Sequence, residues 1–184
     1  KILVVDNNSK MSEKVLLRQF IEPYNCIDVL WLSENTGGAG GFEAGMKAAK
    51  DRYDADWYWI MDDDAYPCPD CLEQLLNYQQ QLPNVGGICP LIYGIDLQEY
   101  QFYHHKRLEG WMLNERQIVY KYEELEDVVQ VDANAFVGPL FSRKAVEAVG
   151  IADGSLFIYG DDTEYTYRVS RKLGVYVVRS AIIE

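Results

Sequence analysis

Short apolar runs alternate with amphipathic stretches through the first half of the chain. Residues 2–5 form a continuous apolar run, ended by Asp6, Asn7, Asn8 and Ser9, and predict a buried strand. Residues 12–22 predict a helix whose inner face includes Val15, Leu16 and Phe20, with Ser12 as its N-cap and Pro23 as its stop. Residues 27–32 predict a second strand, 37–41 a glycine turn and 42–51 a helix. Residues 57–61 predict a third strand, 69–82 a helix with Leu72, Leu75, Leu76 and Leu82 on one side, and 85–89 a fourth strand. This alternation predicts an α/β fold with a parallel, doubly wound sheet.

The pattern loosens between residues 91 and 130, where 101–105 reads as a strand candidate and 120–127 as an acidic loop or short helix. Residues 128–135 predict another strand, and the apolar run continues over 136–141. Ser142 predicts the N-cap of a helix that runs through Val149 and stops at Gly150. Residues 161–173 predict a helix with acids in its first turn and Arg168, Arg171 and Lys172 toward its end, an order that suits the helix dipole. Residues 175–178 predict a closing strand, and no internal repeat is visible.

Open α/β sheets bind ligands beyond the carboxyl ends of their strands. Asp6, Asn35 and the triplet Asp62, Asp63 and Asp64 all fall at such ends, so three polar clusters are expected to converge on one edge. The triplet follows the run Trp57-Tyr58-Trp59-Ile60-Met61. Three adjacent charges at a buried strand end would each cost roughly several kcal/mol without a partner. A divalent cation answers that cost, and hard oxygen ligands suit Mg²⁺ or Mn²⁺ completed by substrate phosphates. The competing reading is a solvated acidic turn capping the next helix.

Two further segments carry candidate chemistry. Asn35-Thr36-Gly37-Gly38-Ala39-Gly40-Gly41-Phe42 lets backbone approach a ligand and offers free N–H groups at a helix N-terminus. It is neither a P-loop nor a clean G-x-G-x-x-G segment, and the competing reading is a tight strand-to-helix turn. Tyr159-Gly160-Asp161-Asp162-Thr163-Glu164 places two acids at a helix start, as a cap or as a general base for a hydroxyl nucleophile. Together these pieces describe metal-assisted transfer from a diphosphate donor, and no acyl-transfer triad is visible.

The composition narrows the partners. The 184 residues suffice for one domain, and 48% hydrophobic residues point to a globular chain. A formal net charge of −12 repels phosphate backbones and argues against nucleic acid as a partner. The 4 cysteines do not suggest a disulfide scaffold. Cys68 and Cys71 have C-x-x-C spacing, but no second pair follows, and Cys71 reads as an ordinary first-turn helix residue in a reducing cytoplasm. Neither a signal peptide nor an apolar run of about 18 residues is present. The chain opens directly in a strand and ends abruptly, so a piece of a longer protein is expected.

These residues resemble a family 2 glycosyltransferase with the GT-A fold, in its rhamnosyl- and galactofuranosyl-transferase branch. Val4-Val5-Asp6-Asn7-Asn8-Ser9, the segment from Asn35 to Phe42, Asp62-Asp63-Asp64, the stretch from Gly138 to Gly150, and Asp161-Asp162 are similar to that family's motifs, in the same order. The resemblance implies a Rossmann-like, mainly parallel sheet flanked by helices and a single catalytic domain over 1–184, with the first strand and the C-terminal part outside the chain. It implies inverting transfer from a UDP- or dTDP-sugar to a glycan or lipid-linked glycan in cell-surface polysaccharide synthesis. Asp62 and Asp64 would hold Mn²⁺ or Mg²⁺. Asp6, Asn35, Gly38, Asp62 and Asp63 would contact the nucleotide-sugar, and Asp162 would be the catalytic base with Asp161 orienting it. His104 and His105 stand at the wrong place to replace the family's late metal-binding histidine. The setting would be cytoplasmic, with peripheral attachment to the inner membrane face through regions outside this chain. The alternatives are a nucleotidyltransferase, disfavoured for want of a basic glycine-rich loop, and a non-catalytic sugar-binding module.

Overall fold

The computed structural model describes residues 1–117 and 122–184. It divides into two compact units, one of residues 1–55 with 151–161, the other of residues 56–150 with 162–184.

In the first unit, β1 (Ile2–Asp6) pairs in parallel with β2 (Ile27–Trp31), from Ile2 opposite Ile27 to Asp6 opposite Trp31. The connecting helix α1 (Met11–Ile21) starts before the expected cap. Lys10 occupies the N-cap position and its N–H donates to the Glu13 carboxylate at 2.9 Å, so Ser12 lies inside the first turn. None of α1's residues is buried. The helix α2 (Gly37–Arg52) begins on the glycine segment itself, so residues 37–41 are its opening turn rather than a separate turn before it. Glycine is a poor helix former, and tertiary contact overrides that propensity here. A Cβ on Gly45 would stand 2.9 Å from Val5 Cγ2, so the bare backbone lets α2 lie close to β1.

The second unit carries β3 (Trp57–Trp59), α3 (Cys71–Gln79), β4 (Val85–Ile92), β5 (His105–Glu109), β6 (Asn114–Gln117), β7 (Val128–Gln130), β8 (Ala133–Asn134), β9 (Leu140–Ser142), α4 (Arg143–Val149), most of α5 (Asp161–Ser170) and β10 (Gly174–Ile183). A five-stranded sheet runs in the order β3-β9-β4-β10-β7, and a three-stranded sheet in the order β6-β5-β8. Within the larger sheet β4 and β10 are parallel, while β3–β9, β4–β9 and β10–β7 are antiparallel. The sheet is therefore mixed. The apolar run after residue 136 returns as β9 between β3 and β4, a pairing that no local periodicity announces.

The strand expected over 128–135 divides into β7 and β8. Val131 N–H donates to Val175 O at 2.9 Å and Asp132 N–H to Lys106 O at 2.9 Å, so the chain changes sheets between these two residues. The segment 101–105 is a 3-10 turn (Phe102–His104) leading into β5. Part of the acidic stretch expected at 120–127 lies outside the described residues, and Tyr122–Glu124 forms a single 3-10 turn. The Ser142 cap is as expected: its Oγ accepts Ala145 N–H at 3.2 Å, and Gly150 ends the helix with φ 84°.

The core of this unit gathers Cys71, Leu75, Ile88, Leu140, Val178 and Ala181, with Trp57, Trp59 and Leu76 packed against them. Phe141 meets Tyr165 edge-on at 5.0 Å, and Phe136 meets Tyr165 at 5.9 Å. Among the described residues, no helix is long and apolar enough to cross a membrane.

Candidate active site

The acidic triplet sits in the turn after β3, and Asp62, Asp63 and Asp64 are all exposed. The burial expected at this strand end is absent, because the strand stops at Trp59 and the chain emerges before the acids. Desolvation therefore does not demand a cation here. The turn is nevertheless held at both ends. Ahead of it, Ile60 N–H donates to Pro139 O at 3.0 Å and Trp59 Nε1–H to Gly138 O at 2.8 Å. Behind it, Tyr66 N–H donates to Glu184 O at 2.6 Å and Cys68 N–H to Ile182 O at 3.0 Å. Asp63 and Asp64 form no ion pair among the described residues.

Asp6 is the opposite case. It is 5% exposed, accepts Ser9 N–H at 3.3 Å and pairs with Lys14 Nζ at 3.3 Å. Burial by itself pushes its carboxyl up, but the hydrogen bonds from Ser9 and Lys14 and the Lys14 charge outweigh it and hold the group below the usual carboxylate range.

The next residue, Asn7, organises the glycine segment, and its role was not read from the sequence. Asn7 Oδ1 accepts Thr36 N–H at 2.9 Å and Thr36 Oγ1–H at 3.1 Å, while Nδ2 donates to Gly37 O at 2.8 Å. Its position after a strand end, within residues 4–9, was the available signal. Asn35 Oδ1 accepts Gly37 N–H at 2.9 Å. The carbonyl of Phe157 accepts Ala39 N–H at 3.0 Å. The N–H groups of Gly37 and Ala39, in the opening turn of α2, are thus already bonded within the chain, whereas Gly38 opens onto space. Gly37 has φ +74°, and a Cβ there would stand 2.2 Å from Phe157 O. Phe157 itself has φ 63° and ψ −62°, and Ile158 N–H donates to Leu156 O at 2.8 Å, a γ-turn of the strained hand.

Asp161 and Asp162 open α5. Asp161 is buried and Asp162 half-buried, with Asp162 Oδ1 accepting Thr163 N–H at 2.5 Å. Burial pushes the His104 imidazole down, while the nearby Asp162 charge pulls it up and Lys106 pulls it down. His104 shares a hydrogen bond with Gln101 Oε1 at 3.0 Å. Asp6, Asn35 and Gly38 belong to the first unit, and Asp62, Asp63, Asp64 and Asp162 to the second. Cys71 is buried and its thiol is pushed up to about 12 by burial, which denies it thiolate chemistry.

A family model described as "Glycosyl transferase family 2" matches residues 1–150. The chain belongs to glycosyl transferase family 2. It is 29% identical over 171 residues to galactofuranosyltransferase GlfT1 of Mycolicibacterium smegmatis, a match that covers 92% of this chain and 55% of that protein. The same named protein of Mycobacterium tuberculosis is also 29% identical, over 174 residues, with the same coverage. The family 2 chain thus spans about half the length of the curated relatives it matches. Its fold is that of GT-A glycosyltransferases. It resembles the crystal structure of GalNAc-T7 with UDP, GalNAc and Mn²⁺ at TM-score 0.74 and 15% identity, over 100% of this chain and 37% of that one. It also resembles mannosyltransferase PcManGT from Pyrobaculum calidifontis with GDP-Man and Mn²⁺ at TM-score 0.67 and 15% identity, over 100% of this chain and 46% of that one.

The donor set of this family 2 chain suits a hard divalent ion in one particular way. Among the described residues no three His, Cys, Asp or Glu side chains form a ready metal cage. Mg²⁺ is ordinarily held by one or two carboxylates, with substrate phosphates and water completing its shell. Exposed carboxylates on an anchored turn are of the kind that could supply the protein's share of such a shell.

Proposed function

We propose that the protein containing this chain is an inverting, metal-dependent glycosyltransferase acting in cell-surface polysaccharide synthesis. It moves a sugar from a nucleoside diphosphate donor, a UDP- or dTDP-sugar, to a hydroxyl of a glycan or lipid-linked glycan. The observation that carries this reading is the anchored turn that leaves Asp62, Asp63 and Asp64 exposed within a family 2 chain. Residues 1–184 serve as one catalytic domain in this reading, in the cytoplasm and at the inner membrane face when the acceptor is lipid-linked. The curated relatives are named as galactofuranosyltransferases, which makes UDP-galactofuranose the first donor to try.

Asp162 accepts the proton of the acceptor hydroxyl. The hydroxyl oxygen then bonds to the anomeric carbon from the side opposite the leaving group. The bond from that carbon to the donor phosphate oxygen breaks, and its electron pair leaves with the diphosphate, inverting the centre. Asp161 orients its neighbour. Asp6, Asn35, Gly38, Asp62 and Asp63 contact the nucleotide-sugar in this reading, Asp6 while also bonded to Ser9 and Lys14. A Mn²⁺ or Mg²⁺ ion held by Asp62 and Asp64 would neutralise charge on the departing diphosphate.

The test is Asp162→Asn in the intact protein with UDP-galactofuranose. Transfer should fall by about a thousandfold or more while donor affinity by calorimetry stays within about twofold. Unchanged turnover would remove the base assignment. Pyrophosphate release from a nucleoside triphosphate and a sugar phosphate would replace the whole reading with a nucleotidyltransferase.

A further inference from the structure

We propose that His105 is a positioning residue which, through Asn134 and Thr166, fixes the first turn of α5 and with it the place of Asp162. The proposal rests on reading Asp162 as the base. His105, Asn134 and Thr166 are 0%, 1% and 0% exposed, so three polar side chains from β5, β8 and α5 are packed together out of water. Asn134 Nδ2 donates to Ala135 O at 2.7 Å, which turns its Oδ1 toward His105. His105 Nδ1–H donates to that oxygen at 2.5 Å, and this bond selects the Nδ1–H tautomer. Asn134 N–H donates to Thr166 Oγ1 at 2.9 Å, and the Thr166 hydroxyl donates to Asp162 O at 2.6 Å.

A threonine hydroxyl bonded one turn back along its own helix is common. Here the same oxygen also accepts an N–H from β8, so the carbonyl of Asp162 is tied through one atom to another part of the unit. The far side of α5 is braced as well. Tyr165 Oη–H donates to Gly150 O at 3.3 Å, and Arg168 donates to Val149 O at 2.5 Å and to both Glu164 oxygens. The arrangement also carries a cost that shape alone does not require. His105 Nε2 is buried without a hydrogen-bond partner among the described residues, a penalty that apolar side chains of similar volume would avoid. Burial pushes the imidazole down to about 4, so the ring is neutral near pH 7 and its donor role is constant. Buried polar networks rigidify what they join, and a base must be held within a fraction of an ångström of its proton.

The experiment uses the intact protein with UDP-galactofuranose as donor. His105→Phe and Thr166→Val should each lower kcat by about 100-fold while the donor KM stays within about twofold. His105→Asn keeps an N–H where Nδ1–H stood, and Thr166→Ser keeps the hydroxyl, so each should recover to within about fivefold of wild type. Wild-type kcat in His105→Phe and Thr166→Val, with Asp162→Asn inactive, overturns the positioning role and leaves the base intact. Equal damage in conservative and non-conservative variants also overturns it. Turnover in Asp162→Asn would instead remove the base reading itself. Nitrogen NMR of the wild-type protein at pH 7 keeps the proposal falsifiable if the variants fail to fold. His105 must be neutral with its proton on Nδ1, and a charged ring or an Nε2–H tautomer refutes the network.

Discussion

The two units hold themselves together by different means. In the second, an apolar core does the holding: Leu75, Ile88, Phe141, Tyr165 and Val175 are each 0% exposed. In the first, the buried hydrophobic residues are Ala39, Met46 and Ala152, and α1 contributes none. Polar ties take up the work there, with Asn7 bonded to Thr36 and Gly37, Asp6 to Ser9 and Lys14, and Ala39 to Phe157. The acids follow the same division. Asp6 is buried and occupied in the unit with the thin core, while Asp62, Asp63 and Asp64 stand exposed on the unit with the thick one. Carboxylates at strand ends can therefore serve opposite ends. The strand-end carboxylate of the first unit is a buried tie, and those that follow β3 in the second are exposed.

The sharpest way to break this contrast is Phe141→Ala, expected to cost about 4 kcal/mol in urea denaturation. A loss below about 1 kcal/mol would mean that the second unit does not depend on its core. Asp64→Ala should weaken Mn²⁺-dependent UDP binding by about 100-fold, or about 2.7 kcal/mol by calorimetry, with stability changed by less than about 0.5 kcal/mol. A stability loss there as large as that of a buried tie would erase the distinction between the two acid sites. Asn7→Ala should cost about 2 kcal/mol, seen as faster amide exchange at Thr36, whose N–H it accepts, with Ile88 unchanged. Equal acceleration at Ile88 would show that the two units open as one.

The smallest effect is the acid response of Asp6. Its folded carboxyl lies below the ordinary value of 3.8, so its contribution is complete above that value. The contribution disappears as pH falls through the lower folded value, because the unfolded chain binds the proton first. Asp6→Asn should flatten that limb of the stability–pH curve, and an unchanged limb would remove Asp6 from the ties.

Much of this was legible along the chain. The runs at β1, β2, β3 and β4 announced strands because each is a short, mainly apolar segment bounded by polar residues or turn formers. Ser142 and Gly150 marked α4 because caps act over a few residues. Other features were not legible. The run 128–135 split because Val131 and Asp132 bond to different strands, and the glycines after Thr36 became helix because the chain around them fixes their conformation. Asn7, Phe157 and the His105–Asn134–Thr166 series act on partners 29 or more residues away, beyond any local pattern.

The sequence by itself determined the chemical inventory: an acid triplet, a glycine segment, a late acid pair and an α/β alternation, all set by contiguous residues. Only the tertiary structure decided which carboxylates are buried and which are exposed, which N–H groups are already taken, and that the larger sheet is mixed. Burial and the choice of hydrogen-bond partner depend on segments far apart in the chain that meet only when it folds.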